Sequence, residues 1–266
     1  MHIITSKDNE IIKHIRKLKE KKYRDEYNEY VVEGVKIVEE AIKENAKIKQ
    51  VIVCNDTTKT YEIPTHIMLE IAKFDCIYVS DKIFNYITQV TNPQGIMAII
   101  EKQDENMQID YNQDIIVMLD DVQDPGNLGT ILRTVDSIGL NQIIVSKGTA
   151  DSFNSKVVRS TMGAIFRLKI IEEEDLIKTI KELRKHHFKL LVTSLQTENS
   201  IYDIDFSKKI IVIGNEANGV SKEIQDLADE KAKIPMLGRT ESLNASVAAG
   251  IVMYEYVRQK ITRKGL

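Results

Sequence analysis

Asn127 and Arg133 lie in the stretch 120–139, D-D-V-Q-D-P-G-N-L-G-T-I-L-R-T-V-D-S-I-G. An asparagine amide both donates and accepts hydrogen bonds, and an arginine guanidinium stays cationic at any working pH. Together they can orient a polar substrate and bind an anion, since the planar fork of arginine suits phosphate. A structural reading stands beside that one: Asn127 caps a helix and Arg133 pairs with Asp136 three residues on. A carboxylate, Glu216, sits between two glycines in the stretch 210–221, I-I-V-I-G-N-E-A-N-G-V-S. Ser242 and Asn244 lie in a third stretch, 234–254, I-P-M-L-G-R-T-E-S-L-N-A-S-V-A-A-G-I-V-M-Y. Either can cap the helix that follows.

These groups need elements to hold them. The apolar run 115–119 reads as a buried strand, and Pro125, Gly126 and Gly129 build a turn after it. Leu128, Ile131, Leu132 and Val135 then recur at helical spacing, which predicts a helix over 127–138. Further strands are expected at 142–146, 165–170, 189–194, 209–213 and near 232–235. Helices are expected at 154–161, 174–187, 221–229 and 242–260. Near-continuous Ile/Val/Leu strands between helices predict a mainly parallel sheet covered on both faces. Ligands of such sheets bind beyond the carboxyl ends of the strands, and Glu216 would stand there, unless its loop is an ordinary strand–turn–helix corner. The G-x-G-x-x-G dinucleotide spacing and the Gly-Lys-Ser/Thr of a P-loop are both missing. Pro235 and Gly238 make a rigid loop, and the small residues Ala245, Ser246, Ala248, Ala249 and Gly250 let backbone or ligand approach closely; they also suit a tightly packed core helix.

The first hundred residues alternate in the same way. A helix is expected over 7–24, strands at 30–33, 48–54, 76–80 and 95–100, and a helix from Asp81, acting as its cap, to Thr88. The polar stretch 101–113 reads as a linker. That gives a domain 1–103, a linker 104–113 and a domain 114–266.

Composition narrows the class. The chain has 266 residues, 42% of them hydrophobic, and a net charge of −3. No apolar run approaches the ~18 residues of a membrane helix, and the N-terminus lacks an apolar signal core, so a cytoplasmic protein is expected. Cys54 and Cys76 sit in strand-like runs as reduced core residues, and the five histidines make no zinc pattern, so no metal is expected. Positive charge gathers in the first helix, at Lys7, Lys13, Arg16, Lys17, Lys19, Lys21, Lys22 and Arg24. A solvated face and a phosphate-tracking surface are both compatible with it.

Taken together, N-L-G-T-I-L-R, G-N-E-A-N-G-V and I-P-M-L-G-R-T-E-S-L-N-A-S-V-A-A-G resemble the three signature motifs of the SpoU (TrmH-like) RNA 2′-O-ribose methyltransferases of the SPOUT superfamily, in order and separation. The Y-V-V-E-G and T-N-P-Q-G-I stretches resemble the ribosomal-protein-like RNA-binding domain that precedes the catalytic domain in many members. The resemblance implies an α/β fold: a C-terminal SPOUT-type domain on a mainly parallel sheet, closed by a deep trefoil knot, and a smaller N-terminal α/β RNA-binding domain. Sequence physics alone would not suggest a knot. It implies S-adenosylmethionine as cofactor, contacted at Gly214, Ile234 and Leu243, with Thr193, Met236 and Ala248 beside it. Arg133, Asn127, Glu216, Ser242 and Asn244 would form the catalytic group, with RNA as substrate and a homodimer as the working form. The two-domain layout favours 23S ribosomal RNA. Transfer RNA, a drug-resistance rRNA methylation, a methylated base and a non-catalytic RNA-binding factor are the alternatives.

Overall fold

Short Ile/Val runs separated by helical stripes build two sheets. The computed structural model describes residues 3–55, 61–103 and 107–264. The first half contains β1 (Ile3–Ile4), α1 (Glu10–Lys17), α2 (Lys21–Tyr27), β2 (Glu29–Glu33), α3 (Val35–Lys43), β3 (Ile48–Cys54), α4 (Thr65–Ile71), β4 (Cys76–Val79), α5 (Asp81–Ile87) and β5 (Ile96–Glu101). The second half contains β6 (Ile115–Asp120), α6 (Pro125–Ser137), β7 (Gln142–Ser146), α7 (Ser155–Ser160), β8 (Lys169–Glu173), α8 (Leu176–Lys185), β9 (Lys189–Thr193), β10 (Lys209–Gly214), α9 (Lys222–Asp226), β11 (Glu230–Ala232) and α10 (Ala245–Lys264). Two compact units result. One takes the first-half elements together with Phe153–Phe166, and the other takes the rest.

In the first unit the strand order is β1-β4-β3-β5-β2. The sheet is mixed, because β5 runs antiparallel to both β2 and β3. Ile12, Ile15 and Leu18 pack with Ile83, Phe84 and Ile87 in its core. The helix expected over 7–24 is two helices. The break falls at Leu18, whose carbonyl accepts a hydrogen bond from Arg24 Nη1 at 2.8 Å. Arg24 is 4% exposed, so this cation serves the end of α1 and does not face solvent. Asp81 is not the cap of α5: Ser80 holds that position. Asp81 instead accepts hydrogen bonds from Tyr61 and Asn85. Neither cysteine is in a disulfide; Cys54 is buried and Cys76 half-buried.

Helix α7 packs against β2 within this unit. The Phe153 ring lies 4.8 Å from that of Tyr30, and Ser155 Oγ donates to Gln89 Oε1 at 3.1 Å. The strand expected at 165–170 begins only at Lys169. Residues Ala164–Phe166 form a 3-10 turn instead, after Met162 and Gly163 turn the chain at φ 51° and 97°.

In the second unit the strand order is β11-β9-β10-β6-β7-β8, and every pairing is parallel. Residues 115–119 and 210–213 are buried throughout, as strands covered on both faces must be. The register pairs Gly214 with Asp120, so β10 and β6 end side by side. Part of the stretch read as a linker, 104–106, lies outside the described residues. Beyond it, Asp110 and Gln142 exchange two hydrogen bonds, and Met107, Ile109 and Tyr111 pack on the second core. Helix α10 packs on α6. Among the described residues, no helix is long and apolar enough to cross a membrane.

Candidate active site

The parallel order places the carboxyl ends of β11, β9, β10 and β6 along one edge of the sheet. The loops carrying the chemistry leave from that edge. After β10 the chain turns sharply at 215–219, where Asn215 and Gly219 exchange backbone hydrogen bonds of 2.9 and 2.8 Å. Asn215 Oδ1 accepts from the amides of Ala217 and Asn218, and its Nδ2 donates to the Asp121 carbonyl at 2.8 Å. Sequence reasoning passed over Asn215. Its signal was an asparagine opening a Gly-rich turn, where the side chain bonds backbone two residues on. Gly214 is required by space, since a Cβ there would stand 2.1 Å from the Gly219 carbonyl carbon.

Glu216 projects from this turn to the start of α6. Its carboxylate accepts from the amides of Gln123 and Asp124 at 3.1 and 3.0 Å and from Asn127 Nδ2 at 2.9 Å. The carboxylate thus lies where unpaired amides and the helix dipole favour negative charge. Burial raises its pKa, but the hydrogen bonds from Asn127, Gln123 and Asp124 outweigh that and hold it below the ordinary glutamate value. Asp124, not Asn127, caps α6, accepting from the Asn127 amide at 2.8 Å. The Asn127 side chain is thereby released for tertiary use. Its Oδ1 accepts from Asn244 Nδ2 at 2.9 Å. Asn244 Oδ1 then accepts from the amides of Ser246 and Val247 at the start of α10. Asn244, not Ser242, therefore caps that helix.

Glu216, Asn127 and Asn244 form a relay whose polarity is set at both ends. An ionised carboxylate only accepts, and backbone amides only donate. Both asparagine amides are thereby oriented, which ties the three motifs together.

A cavity of about 440 Å³ opens beside this relay, large enough for a small cofactor. Thr193, Gly214, Ile234, Met236, Leu243 and Ala248 all line it, together with Glu216 and Ser242. Apolar side chains in the lining suit a flat heterocycle, while backbone loops and the Glu216 carboxylate offer polar partners, so the lining fits a cationic nucleoside such as S-adenosylmethionine. Arg133 is not in this group. It is exposed on α6 and has no hydrogen-bond or ion-pair partner among the described residues. The pairing with Asp136 does not form, because Arg167 holds Asp136 through Nε and Nη2 at 2.9–3.1 Å. Among the described residues there is no group of three or more His, Cys, Asp or Glu placed to hold a metal ion.

Residues 114–254 match the profile of the SpoU rRNA Methylase family. The chain belongs to that family. Residues 9–98 match a second profile, the MRM3-like substrate binding domain. The chain is 33% identical to the 23S rRNA (guanosine(2553)-2′-O)-methyltransferase RlmP of Bacillus subtilis strain 168, over 96% of this chain and 98% of that one. Among solved structures, it is similar to an AdoMet-bound rRNA methyltransferase from Sinorhizobium meliloti, at 32% identity and a TM-score of 0.83 over 97% of this chain and 98% of that one. It is also similar to the SpoU methyltransferase AviRb from Streptomyces viridochromogenes in complex with AdoMet. There the identity is 25% and the TM-score 0.86, over 96% of this chain and 99% of that one. In this SpoU family member the three motifs meet at one edge of one sheet.

Proposed function

We propose that the chain transfers a methyl group from S-adenosylmethionine to a ribose 2′-hydroxyl of 23S ribosomal RNA. The observation that carries this is one cavity at the carboxyl edge of a parallel sheet, lined by the second and third motif loops and tied to the first motif by the Glu216–Asn127–Asn244 relay. The full-length likeness to a 23S rRNA 2′-O-methyltransferase supports the substrate.

Bound S-adenosylmethionine would supply an electrophilic methyl group on a sulfonium leaving group. Gly214, Ile234 and Leu243, with Thr193, Met236 and Ala248 beside them, would hold it. A ribose hydroxyl is a poor nucleophile, so the chain's task is to hold it in line and manage its proton. Held geometry of this kind contributes on the order of 7–11 kcal/mol in favourable cases. Arg133, exposed and without a hydrogen-bond or ion-pair partner among the described residues, can reach RNA. A guanidinium is a poor general base because it holds its proton at any working pH, and its fork suits the phosphate next to the target ribose. Asn127, Glu216 and Asn244 keep the loops in register, and Ser242 completes the pocket wall.

The knot follows from the family reading, with which the shared cavity lining of the 213–220 turn and the 233–248 segment is compatible. A homodimer is supported by Val247, Tyr254 and Ile261, which are 46–52% exposed at helical spacing along α10. The first unit would bind the RNA, and the protein would work in the cytoplasm, where ribosomal RNA is.

The test is methyl transfer from labelled S-adenosylmethionine to unmodified ribosomal and transfer RNA, followed by digestion to nucleosides. A labelled 2′-O-methylnucleoside from 23S rRNA is expected. Label on a base, or on transfer RNA alone, overturns the assignment.

A further inference from the structure

The positive charge of the first two helices is not a plain solvated face. Four exposed cations are ordered over three half-buried tyrosines. Lys7 Nζ and Arg16 Cζ lie 4.1 and 4.2 Å from the centre of the Tyr86 ring on α5. Lys17 Nζ lies 5.6 Å from the centre of Tyr23 and 5.9 Å from that of Tyr27. Lys22 Nζ lies 5.5 Å from the centre of Tyr23. The Tyr23 and Tyr27 rings are stacked, with centroids 6.3 Å apart. Arg16 and Lys17 follow one another at the end of α1, with Arg16 on the Tyr86 side and Lys17 on the Tyr23 and Tyr27 side. None of these four cations forms an ion pair among the described residues, and Lys17 Nζ donates to the Tyr27 hydroxyl at 3.5 Å. Other lysines nearby are committed elsewhere: Lys13 pairs with Glu10 at 2.9 Å, and Lys19 donates to the Thr88 carbonyl at 3.2 Å. Burial, and after it the charge of Arg16, hold the Lys19 ammonium below the ordinary lysine value, as a locally positive surface would.

We propose that the band formed by Tyr23, Tyr27 and Tyr86 with Lys7, Arg16, Lys17 and Lys22 is a site for an unpaired RNA strand, whose bases stack on the tyrosines while its phosphates take the cations. This rests on the proposal that RNA is the substrate, and it specifies which form of RNA the first unit reads and by which groups.

Two physical points favour the strand over a duplex. Stacked bases in a helix have no free face, so tyrosines contribute nothing to duplex binding, whereas every unpaired base offers one. The cations also sit where they can exchange partners. An exposed cation–π contact is worth about two- to fivefold in an equilibrium constant, while stacking a base on an aromatic ring is worth about five- to 150-fold. A lysine that pivots from the ring to a phosphate therefore gives up the weaker contact and uncovers the ring for the stronger one. A patch built only for phosphates would need no aromatic floor.

The experiment uses the full chain and two fluorescently labelled RNAs of equal length, a single strand and a hairpin duplex, with binding followed by anisotropy over a salt series. The single strand is expected to bind at least about tenfold tighter. Tyr23→Leu and Tyr86→Leu should each weaken the single strand about tenfold without changing the salt slope, while Tyr23→Phe keeps the affinity because the ring remains. Lys17→Ala should lower the salt slope by about one, and Lys13→Ala, outside the band, should change little. Circular dichroism of each variant distinguishes lost binding from lost folding, and if a leucine variant is unfolded, the lysine variants and the strand-against-duplex comparison still decide. Equal affinity for duplex and strand, or leucine variants that bind as the parent does, would overturn the proposal. The labelled-nucleoside assay on the same variants separates the two proposals: continued methylation of rRNA with unchanged affinity removes the band and leaves the function, and methyl transfer to no RNA removes the function.

Discussion

The Glu216 carboxylate accepts a hydrogen bond from Asn127 Nδ2 at 2.9 Å, joining the loop after β10 to the first turn of α6. Removing its charge should therefore act on both elements. Glu216→Gln keeps the shape but presents a donor where three groups already donate. We expect a stability loss of about 1 kcal/mol at neutral pH, discounted for the exposure of the loop, measured by urea unfolding. The folded pKa of Glu216 lies below its ordinary value of 4.5. Its stabilisation is therefore fully present above that value and is lost as pH falls through the folded pKa. The difference between parent and variant should shrink in acid below about pH 4.5 and stay constant from pH 6 to 8. A constant difference down to pH 3 would show that the charge plays no part.

Asn127→Asp tests the polarity of the relay. It places a second carboxylate against Glu216, so it should be less stable at pH 7 than Asn127→Ala, which only removes the bonds. Acidification should narrow the gap as one of the two carboxylates takes a proton. Thermal melts of both variants at pH 5 and pH 7.5 decide the point, and an aspartate variant as stable as the alanine variant at pH 7.5 would count against the relay as drawn.

Gly214 and Gly219 sit in the same turn for different reasons. A Cβ at Gly214 meets backbone at 2.1 Å, whereas Gly219 has φ +70° with open space around it. Gly214→Ala should cost about 1–3 kcal/mol or more and abolish S-adenosylmethionine binding by calorimetry, because the turn must open. Gly219→Ala should cost only about 1 kcal/mol of backbone strain and retain cofactor binding.

Arg133 is exposed and makes no hydrogen bond or ion pair among the described residues, so Arg133→Ala should leave stability within about 0.5 kcal/mol of the parent. Cofactor affinity should also hold, while methyl transfer falls by at least about a hundredfold. Arg133→Lys keeps the charge without the fork and should fall in between. Near-parent turnover in the alanine variant would remove Arg133 from the chemistry.

Truncation to residues 105–266 is a sharper test than the linker suggests. Helix α7 belongs to the first unit, and its Val157 and Val158 are 0–1% exposed. Cutting away residues 1–104 uncovers them together with Phe153 and Ile165. Each such side chain contributes roughly 1.5–3 kcal/mol by burial. The truncated chain should melt at a lower temperature and bind an apolar dye. If it melts as the full chain does, α7 draws its stability from elsewhere.

The sequence by itself determined the β-α alternation, the parallel character of the second sheet and the three loops that carry polar groups. Those features are local. Apolar periodicity, continuous Ile/Val runs and Gly/Pro/Asn turn chemistry are written within a few residues of where they act. Some local readings failed where a tertiary partner intervened. Arg24 turned inward onto the Leu18 carbonyl, Asp136 was taken by Arg167, and residues 164–166 became a turn docked in the first unit. Only the tertiary structure decided that Asn127 leaves capping to Asp124 and bonds to Glu216 and Asn244, 89 and 117 residues away. The reason is the strand order. Parallel pairing sets β10 against β6 and ends them in register, and no periodicity within either strand names its neighbour. The cavity and its relay are therefore properties of adjacency, which the chain acquires only when both strands are in place.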